Sequence, residues 1–192
     1  MNLAPNVIFD EEKHEYFYMG KQLSGVTGLI SKKLGLKYGN EFVSEAAEEG
    51  VHVHKAVQRW VETGDSGSVH PGVRFVVSRL GVLRDAGKCA SEVLVSDFKR
   101  YASAVDIVVD TGQARSEDKL QKFTRLVNVY DLKTGKFNRG YVTWQLSIYK
   151  YFIERFTKFG VKDCLCLALK DQEVYQIFPK CVGQVEGLLY GG

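Results

Sequence analysis

A chain of 192 residues is long enough for one well-buried domain and short for two, so we expect a single domain over residues 1–192. The hydrophobic fraction of 45% and the charged fraction of 26% are those of an ordinary globular protein and argue against disordered or fibrous classes. The formal net charge of +3 neither requires nor excludes a nucleic-acid partner. No apolar run suggests a membrane span and the N-terminus lacks the pattern of a signal peptide, so a cytoplasmic protein is expected.

The N-terminal segment predicts a β-hairpin followed by a short helix. Val7 to Tyr18 is typical of two short strands around a charged turn, and Gly20-Lys21 predicts a second turn. The next residues lead into a helix, and Ser24 or Thr27 is expected to cap it.

A long amphipathic helix is predicted from Asn40 to Thr63, with Gly50 as a point where it kinks or divides. His54 shares a helical face with Gly50 and Val57. By spacing alone this histidine is either an ordinary packing residue or a metal ligand. A second amphipathic helix is predicted from Val73 to Asp85.

Three consecutive strands are predicted to form an antiparallel meander, at Glu92 to Asp97, Tyr101 to Asp110 and Phe123 to Asp131. Asp106 interrupts the second strand, which is otherwise apolar. Alternation predicts that Val105, Ile107 and Val109 share one face, with Asp106 on the other. A buried carboxylate is costly without a cation, so Asp106 is a candidate functional residue.

Asp131 and Lys133 end the third strand and lie two residues apart, so both point to the same face of the sheet. Taken alone, this spacing also fits an ordinary exposed ion pair, which would contribute little to stability. With Asp106 delivered to the same edge, two acids and a lysine would form a divalent-metal site for phosphodiester hydrolysis, because Mg²⁺ and Mn²⁺ prefer oxygen ligands.

The remaining elements predict a helix from Trp144 to Phe159, strands at 163–170 and 173–178, and a last helix from Lys180 to Tyr190. Gln145 and Tyr149 lie at i and i+4 and therefore on one helical face, either as a solvated stripe or beside the site. The strand after this helix is expected to pair in parallel with the strand before it. The fold class is α/β, with a mixed central sheet flanked by helices and a core at about residues 40–178.

Local charge is more informative than the total. A basic island surrounds the Asp131 strand and contains Arg115, Lys119, Lys122, Arg125, Lys133, Lys136 and Arg139 against Glu117, Asp118 and Asp131. It is either a solvated hairpin tip or a surface for a polyanion. The four cysteines form neither a Cys-x-x-Cys pair nor a secreted framework, so reduced thiols and no iron–sulfur cluster are expected.

The order Asp106, Asp131-Leu-Lys133 and Gln145-x-x-x-Tyr149 resembles the PD-(D/E)XK nuclease superfamily, and specifically its RecB-like exonuclease branch. The segment from Gly50 to His54 resembles the Gly-x-x-x-His motif of that branch. Ser24-Gly-Val-Thr27 partly matches a Ser-Val-Thr-like stretch of its phage-type members, which also begin with a hairpin. The chain departs from the pattern at Val105, where the family has proline. The resemblance implies a restriction-endonuclease-like core.

The resemblance also implies roles for individual residues. The metal ligands it implies for one or two Mg²⁺ or Mn²⁺ ions are His54, Asp106, Asp131 and the Leu132 carbonyl, with Glu92 as an auxiliary ligand. The residues it places around the phosphate are Lys133, Gln145 and Tyr149. The residues expected to contact the DNA backbone are Ser24, Thr27, Lys136 and Arg139.

The function implied is hydrolysis of DNA phosphodiester bonds by a metal-dependent exonuclease in phage or bacterial recombination, repair or processing, with a single-strand-annealing or recombination protein as a further partner. Two alternatives stay open at this point. One is a DNA-binding or scaffold module with the same fold and no turnover, and the other is a structural protein in which these motifs occur by chance.

Overall fold

The computed structural model describes residues 1–36, 43–114 and 123–191, with the backbone alone for residues 43–47, 113 and 114. Its strands are β1 (Val7–Asp10), β2 (Glu15–Tyr18), β3 (Lys21–Gly25), β4 (Cys89–Ser96), β5 (Tyr101–Ala114), β6 (Arg125–Lys133), β7 (Phe159–Ala168) and β8 (Glu173–Ile177). Its helices are α1 (Val26–Lys33), α2 (Val43–Thr63), α3 (Pro71–Asp85), α4 (Arg139–Phe156) and α5 (Val182–Tyr190).

The strands form one mixed eight-stranded sheet in the order β1-β2-β3-β5-β6-β7-β8, with β4 paired to β5. The N-terminal hairpin and the antiparallel β4-β5-β6 meander are confirmed. β6 and β7 pair in parallel across the connection through α4, as predicted. β3 was not predicted, and it pairs in parallel with the start of β5 through Ser24↔Tyr101 and Gly25↔Ala102.

Helices cover both faces of the sheet, which confirms the predicted α/β class. One apolar cluster joins α1, α4 and α5 to the sheet, with Ile30, Leu146, Phe152 and Leu189 fully or almost fully buried. A second cluster joins α2 and α3 to the opposite face. The candidate functional site lies where elements from both layers meet the sheet. None of the described helices is both long enough and apolar enough to cross a membrane.

Several predicted boundaries were wrong. The cap of α1 is Gly25, and neither Ser24 nor Thr27 caps it through a side chain, because Ser24 belongs to β3 and Thr27 lies inside the helix. α4 begins at Arg139 instead of Trp144, because Asn138 Oδ1 accepts a hydrogen bond from Tyr141 N at 3.1 Å and caps the helix earlier.

α2 continues without interruption through Gly50, so the predicted division there was wrong. Residues 40–42 of the predicted helix lie outside the described residues, as do Arg115, Glu117, Asp118, Lys119 and Lys122 of the basic island.

The predicted faces of β5 were also wrong around Asp106. Val105 packs in the α4 layer with Val108, whereas Ile107 and Val109 pack in the α2 layer. Simple alternation would have kept Val105 with Ile107. On the neighbouring strand β4, Glu92 lies between the pairs Ser91↔Ile107 and Val93↔Val105 and has φ of 47°, a left-handed backbone that non-glycine residues adopt rarely. The irregularity therefore falls where two acids face each other.

Candidate active site

The site forms where β5 and β6 separate. Their regular pairing runs to Ile107↔Tyr130, and continuing the same register would join Val105 to Leu132. Instead, the Leu132 backbone N–H donates to Asp106 Oδ2 at 2.5 Å. A side chain thus takes the place of the next ladder bond, and the carboxylate of Asp106 is fixed between the two strands.

Three ligand-type side chains converge at this point from α2, β4 and β5. One atom each of His54, Glu92 and Asp106 lies within 4.8 Å of the other two, and His54 Nδ1 is 3.3 Å from Asp106 Oδ1. An imidazole and two carboxylates fit a divalent cation, since carboxylates suit Mg²⁺ and Mn²⁺ and imidazole also suits metals such as Zn²⁺. Sequence reasoning ranked Glu92 as auxiliary, but in the structure it belongs to the central group.

The electrostatics of this group show a surplus of negative charge. The Asp106 charge raises the pKa of His54 to about 9, against the opposing effect of burial. Burial and the Asp106 charge raise the pKa of Glu92 to about 7. Burial alone would raise the pKa of Asp106, but His54, Lys133 and the Leu132 amide outweigh it and lower that pKa. Protons on His54 and Glu92, or a bound cation, would offset the repulsion between the carboxylates of this group.

Next to this group, Lys133 forms a part-buried ion pair with the fully buried Asp131. Lys133 Nζ lies 2.9 Å from Asp131 Oδ1, and the two side chains are 24% and 0% exposed respectively. The exposed-pair alternative was therefore wrong. Asp131 is not among the three groups that share the 4.8 Å cluster, and its role as a metal ligand stays a prediction, as does that of the Leu132 carbonyl.

A chain of hydrogen bonds continues from Lys133 into α4. Lys133 Nζ donates to Gln145 Oε1 at 3.1 Å, and Gln145 Nε2 donates to the Tyr149 hydroxyl at 2.7 Å. Gln145 and Tyr149 are buried, so the solvated-stripe alternative was wrong for these two residues. Their i, i+4 spacing stacks them on the face of α4 that meets the sheet.

The ionisation of the Asp131–Lys133 pair follows from its burial. Burial raises the pKa of Asp131 to about 6 although the Lys133 charge opposes it. Burial would lower the pKa of Lys133, but the charges of Asp131 and Asp106 outweigh it and raise that pKa. Lys133 is accordingly a cation at neutral pH and acts as a hydrogen-bond donor.

Sequence reasoning missed two polar residues that extend this network. Ser103 Oγ donates to the Tyr149 hydroxyl at 3.3 Å, and Ser103 also acts on the phenol of Tyr16 in β2, where it partly offsets the rise of the Tyr16 pKa. Burial and the charge of Glu92 raise the pKa of Tyr16 to about 12. No local pattern signals these contacts, because Ser103 is 46 residues from Tyr149 in sequence.

Gly50 lies one helical turn before His54 and lets α2 approach the end of β6. A Cβ atom at Gly50 would lie 3.2 Å from Thr134 Oγ1, directly after Lys133. This distance is shorter than most Cβ contacts, so a larger residue at position 50 would push α2 away from Thr134. The absence of a side chain at Gly50 therefore allows α2 to hold His54 close to the two strands. The Gly-x-x-x-His pattern thus has a local packing reason.

The residues predicted to contact DNA are all exposed. Lys136 and Arg139 follow Lys133 in the loop and at the first turn of α4, whereas Ser24 and Thr27 lie at the β3–α1 junction. Their contact with DNA stays a prediction. The four cysteines are free thiols, and Cys164 and Cys166 are buried in β7 as expected, with Cys166 Sγ 3.9 Å from Asp131 Oδ2.

No protein-family model matches the chain, and no curated protein matches it either. Any function for this protein must therefore be inferred from the residues and geometry of the site.

Proposed function

We propose that this protein is a metal-dependent DNA nuclease of the PD-(D/E)XK type. The observation that carries the proposal is a convergence at one point of the sheet. The cluster of His54, Glu92 and Asp106 forms where β5 and β6 part, and the buried Asp131–Lys133 pair lies at the end of β6 beside it. Acids with a lysine at separating strands match the chemistry of the motif seen in the sequence.

A divalent metal at this position would neutralise phosphate charge and lower the pKa of a water molecule. His54, Glu92 and Asp106 would hold it, and Asp131 and the Leu132 carbonyl are further proposed ligands. The Leu132 N–H bond to Asp106 leaves one oxygen of that carboxylate, Oδ1, directed to His54. The strands therefore orient the carboxylate before any cation binds.

Lys133 supplies a fixed positive charge. Because its pKa is raised, it donates protons in hydrogen bonds instead of abstracting them, and we assign it to an oxygen of the reacting phosphate. Asp131 and Gln145 hold its ammonium group from two sides. Gln145 and Tyr149 thereby position Lys133, and their direct contact with the phosphate is a further part of the proposal.

The RecB-like resemblance supports the finer part of the proposal, namely exonucleolytic cleavage with Mg²⁺ or Mn²⁺ in phage or bacterial DNA recombination, repair or processing. Gly50 and His54 on α2, and Gln145 and Tyr149 on α4, are the features of that branch which meet at the site. Phosphate contacts from Lys136 and Arg139 would be sequence-independent and would weaken as salt rises.

The test is degradation of end-labelled linear DNA beside closed circular DNA, with Mg²⁺, Mn²⁺, Zn²⁺ or EDTA. We expect loss of linear DNA with Mg²⁺ or Mn²⁺ only, and none with Lys133→Ala. Lys158→Ala is the matched control, because Lys158 is exposed and precedes Phe159, which pairs with Arg125 at the opposite end of β6 from Lys133. Cleavage of both DNAs would indicate an endonuclease. DNA binding without cleavage by the parent would favour the binding-module alternative.

A further inference from the structure

A surface of aromatic rings and cations begins at Lys133 and runs along the first half of α4. Three cations lie over three rings. Lys133 Nζ is 5.7 Å from the centroid of the Tyr141 ring, and Lys180 Nζ is 5.7 Å from that of Trp144. Arg139 Cζ is 6.0 Å from the centroid of Phe137. We call this surface the aromatic–cation face, and it consists of Phe137, Tyr141, Trp144 and Tyr175 with Lys133, Arg139 and Lys180.

Contacts between separate elements fix this face. The rings of Phe137 and Tyr175 are stacked, with centroids 4.3 Å apart and an interplanar angle of 3°. The Lys180 backbone N–H donates to Ser147 Oγ at 2.9 Å, which ties the segment after β8 to α4. A surface held in this way loses little conformational freedom when a ligand binds.

The rings of the face are accessible, and cations lie beside them. All four rings are half-buried, and Arg139 and Lys180 are exposed. The nearby acids are Glu173, which accepts a hydrogen bond from the Tyr175 hydroxyl, and Asp171. Lys133 is paired with Asp131, and the other two cations of the face, Arg139 and Lys180, are joined by the exposed Lys136 in the loop between β6 and α4.

Alternating rings and cations fit a ligand that carries flat bases and phosphates at short intervals. Aromatic side chains stack on bases of any sequence, and cations follow the phosphate backbone. In a duplex the bases are stacked inside and cannot lie on these rings. We propose that the aromatic–cation face binds a single-stranded segment of nucleic acid and delivers it to Lys133. This inference rests on the proposed function for its DNA substrate and adds the strand state of that substrate.

The test measures equilibrium binding of fluorescently labelled dT20 and of a 20-base-pair duplex to the full chain in EDTA, without cleavage. We expect tighter binding of dT20 than of the duplex. Trp144→Leu should weaken dT20 binding about fivefold to a hundredfold and leave duplex binding within about twofold, since base stacking is lost and no charge is removed. Trp144→Phe keeps a ring and should retain most of the affinity.

Two further variants separate stacking from other effects. Phe156→Leu removes a half-buried ring at the other end of α4 and should bind dT20 like the parent. The logarithm of the dT20 binding constant falls linearly with the logarithm of the salt concentration. Lys180→Ala should make this slope shallower by about 0.7, as expected when one phosphate contact on a single strand is lost.

Three results would overturn the inference: equal affinity of the parent for dT20 and duplex, equal loss of both in Trp144→Leu, or competition by poly-glutamate as strong as by unlabelled dT20. The last would assign the face to an acidic protein. Nuclease assays on the same preparations separate this inference from the proposed function. Cleavage without strand-selective binding contradicts the inference alone, whereas strand-selective binding without cleavage contradicts the nuclease function and leaves the binding face in place.

Discussion

His54 Nδ1 lies 3.3 Å from Asp106 Oδ1, and this contact joins helix α2 to the strand at the centre of the sheet. Glu92 completes the group with a second carboxylate. If the group holds a divalent cation, the cation should stabilise the folded protein, because it binds the assembled site and not the unfolded chain. We expect millimolar Mn²⁺ or Mg²⁺ to raise the thermal midpoint of metal-free protein, and Asp106→Asn to abolish that rise.

The control for this measurement is Asp163→Asn, an acid in β7 outside the cluster. It should keep the metal-dependent rise. An equal rise in the parent and in Asp106→Asn would show that the cation binds elsewhere.

The pH dependence of this stabilisation follows from the pKa values of His54 and Glu92. His54 has a pKa of about 9 in the fold against 6.5 ordinarily, so its contribution to stability is complete below about pH 6.5 and is lost as pH rises towards 9. Glu92 has a pKa of about 7 in the fold against 4.5 ordinarily, so the folded state holds its proton more tightly than the unfolded chain does. The stability that this proton contributes is therefore also lost as pH rises from about 4.5 to 7.

Protons on these groups would therefore stabilise the metal-free protein as a bound cation would, and protons and the cation would compete for the site. The rise in thermal midpoint caused by Mn²⁺ should grow between pH 6 and pH 9. It is measured by paired melts in Mn²⁺ and in EDTA at each pH. A rise that is constant or shrinks with pH would contradict a site made of these residues.

Loss of Lys133 should destabilise the protein as well as inactivate it. Lys133→Met leaves Asp131 fully buried without its cation, which typically costs about 3–5 kcal/mol of unfolding free energy near neutral pH. The double variant Asp131→Asn with Lys133→Met removes the buried charge and should recover much of that loss. Urea unfolding of the parent, the single variant and the double variant measures the loss and the recovery of unfolding free energy. Similar stability of the single variant and the parent would mean that Asp131 is not held as a carboxylate.

Gly50 offers a test of how α2 is placed. Gly50→Ala should change the unfolding free energy little, because its gain in helix propensity of about 1 kcal/mol is opposed by the 3.2 Å approach of the new Cβ to Thr134 Oγ1. Gly50→Val should displace His54 and reduce the metal-dependent rise in thermal midpoint. Gly81→Ala in α3 is the control, since among the described residues no atom beyond its own helix would lie within 4 Å of a Cβ added there, and it should stabilise by about 0.5–1 kcal/mol. An unchanged metal response in Gly50→Val would contradict this account of the glycine.

The strand–helix–strand order predicted the parallel β6–β7 pairing, and periodicity was sufficient to predict the hairpin, the meander and the helices that flank the sheet. It was insufficient where a tertiary contact overrides alternation. The faces of β5 change at Asp106 because Glu92 on β4 has a left-handed backbone and because Leu132 N–H bonds to the Asp106 side chain. Neither feature is visible in the residues of β5.

The site shows the same division between local and long-range information. The i, i+4 stacking of Gln145 and Tyr149 and the shared face of Asp131 and Lys133 were predictable from spacing. Glu92 was expected only as an auxiliary ligand implied by the resemblance, and Ser103 was not predicted at all, because its contact is with Tyr149 on α4, 46 residues away in sequence. β3 was missed because Lys21 to Gly25 has the composition of a turn and a helix start, and its pairing with β5 supplies the extended conformation.

The most direct test of the proposed nuclease site is Mn²⁺-dependent cleavage of linear DNA by the parent, Asp106→Asn and Lys133→Ala, each shown to be folded by its thermal melt under the assay conditions. We expect cleavage by the parent that EDTA abolishes, and a loss of at least about a hundredfold in each variant, as is typical when a group that stabilises the transition state is removed. Cleavage by folded Lys133→Ala at the parent's rate would contradict the assignment of this site.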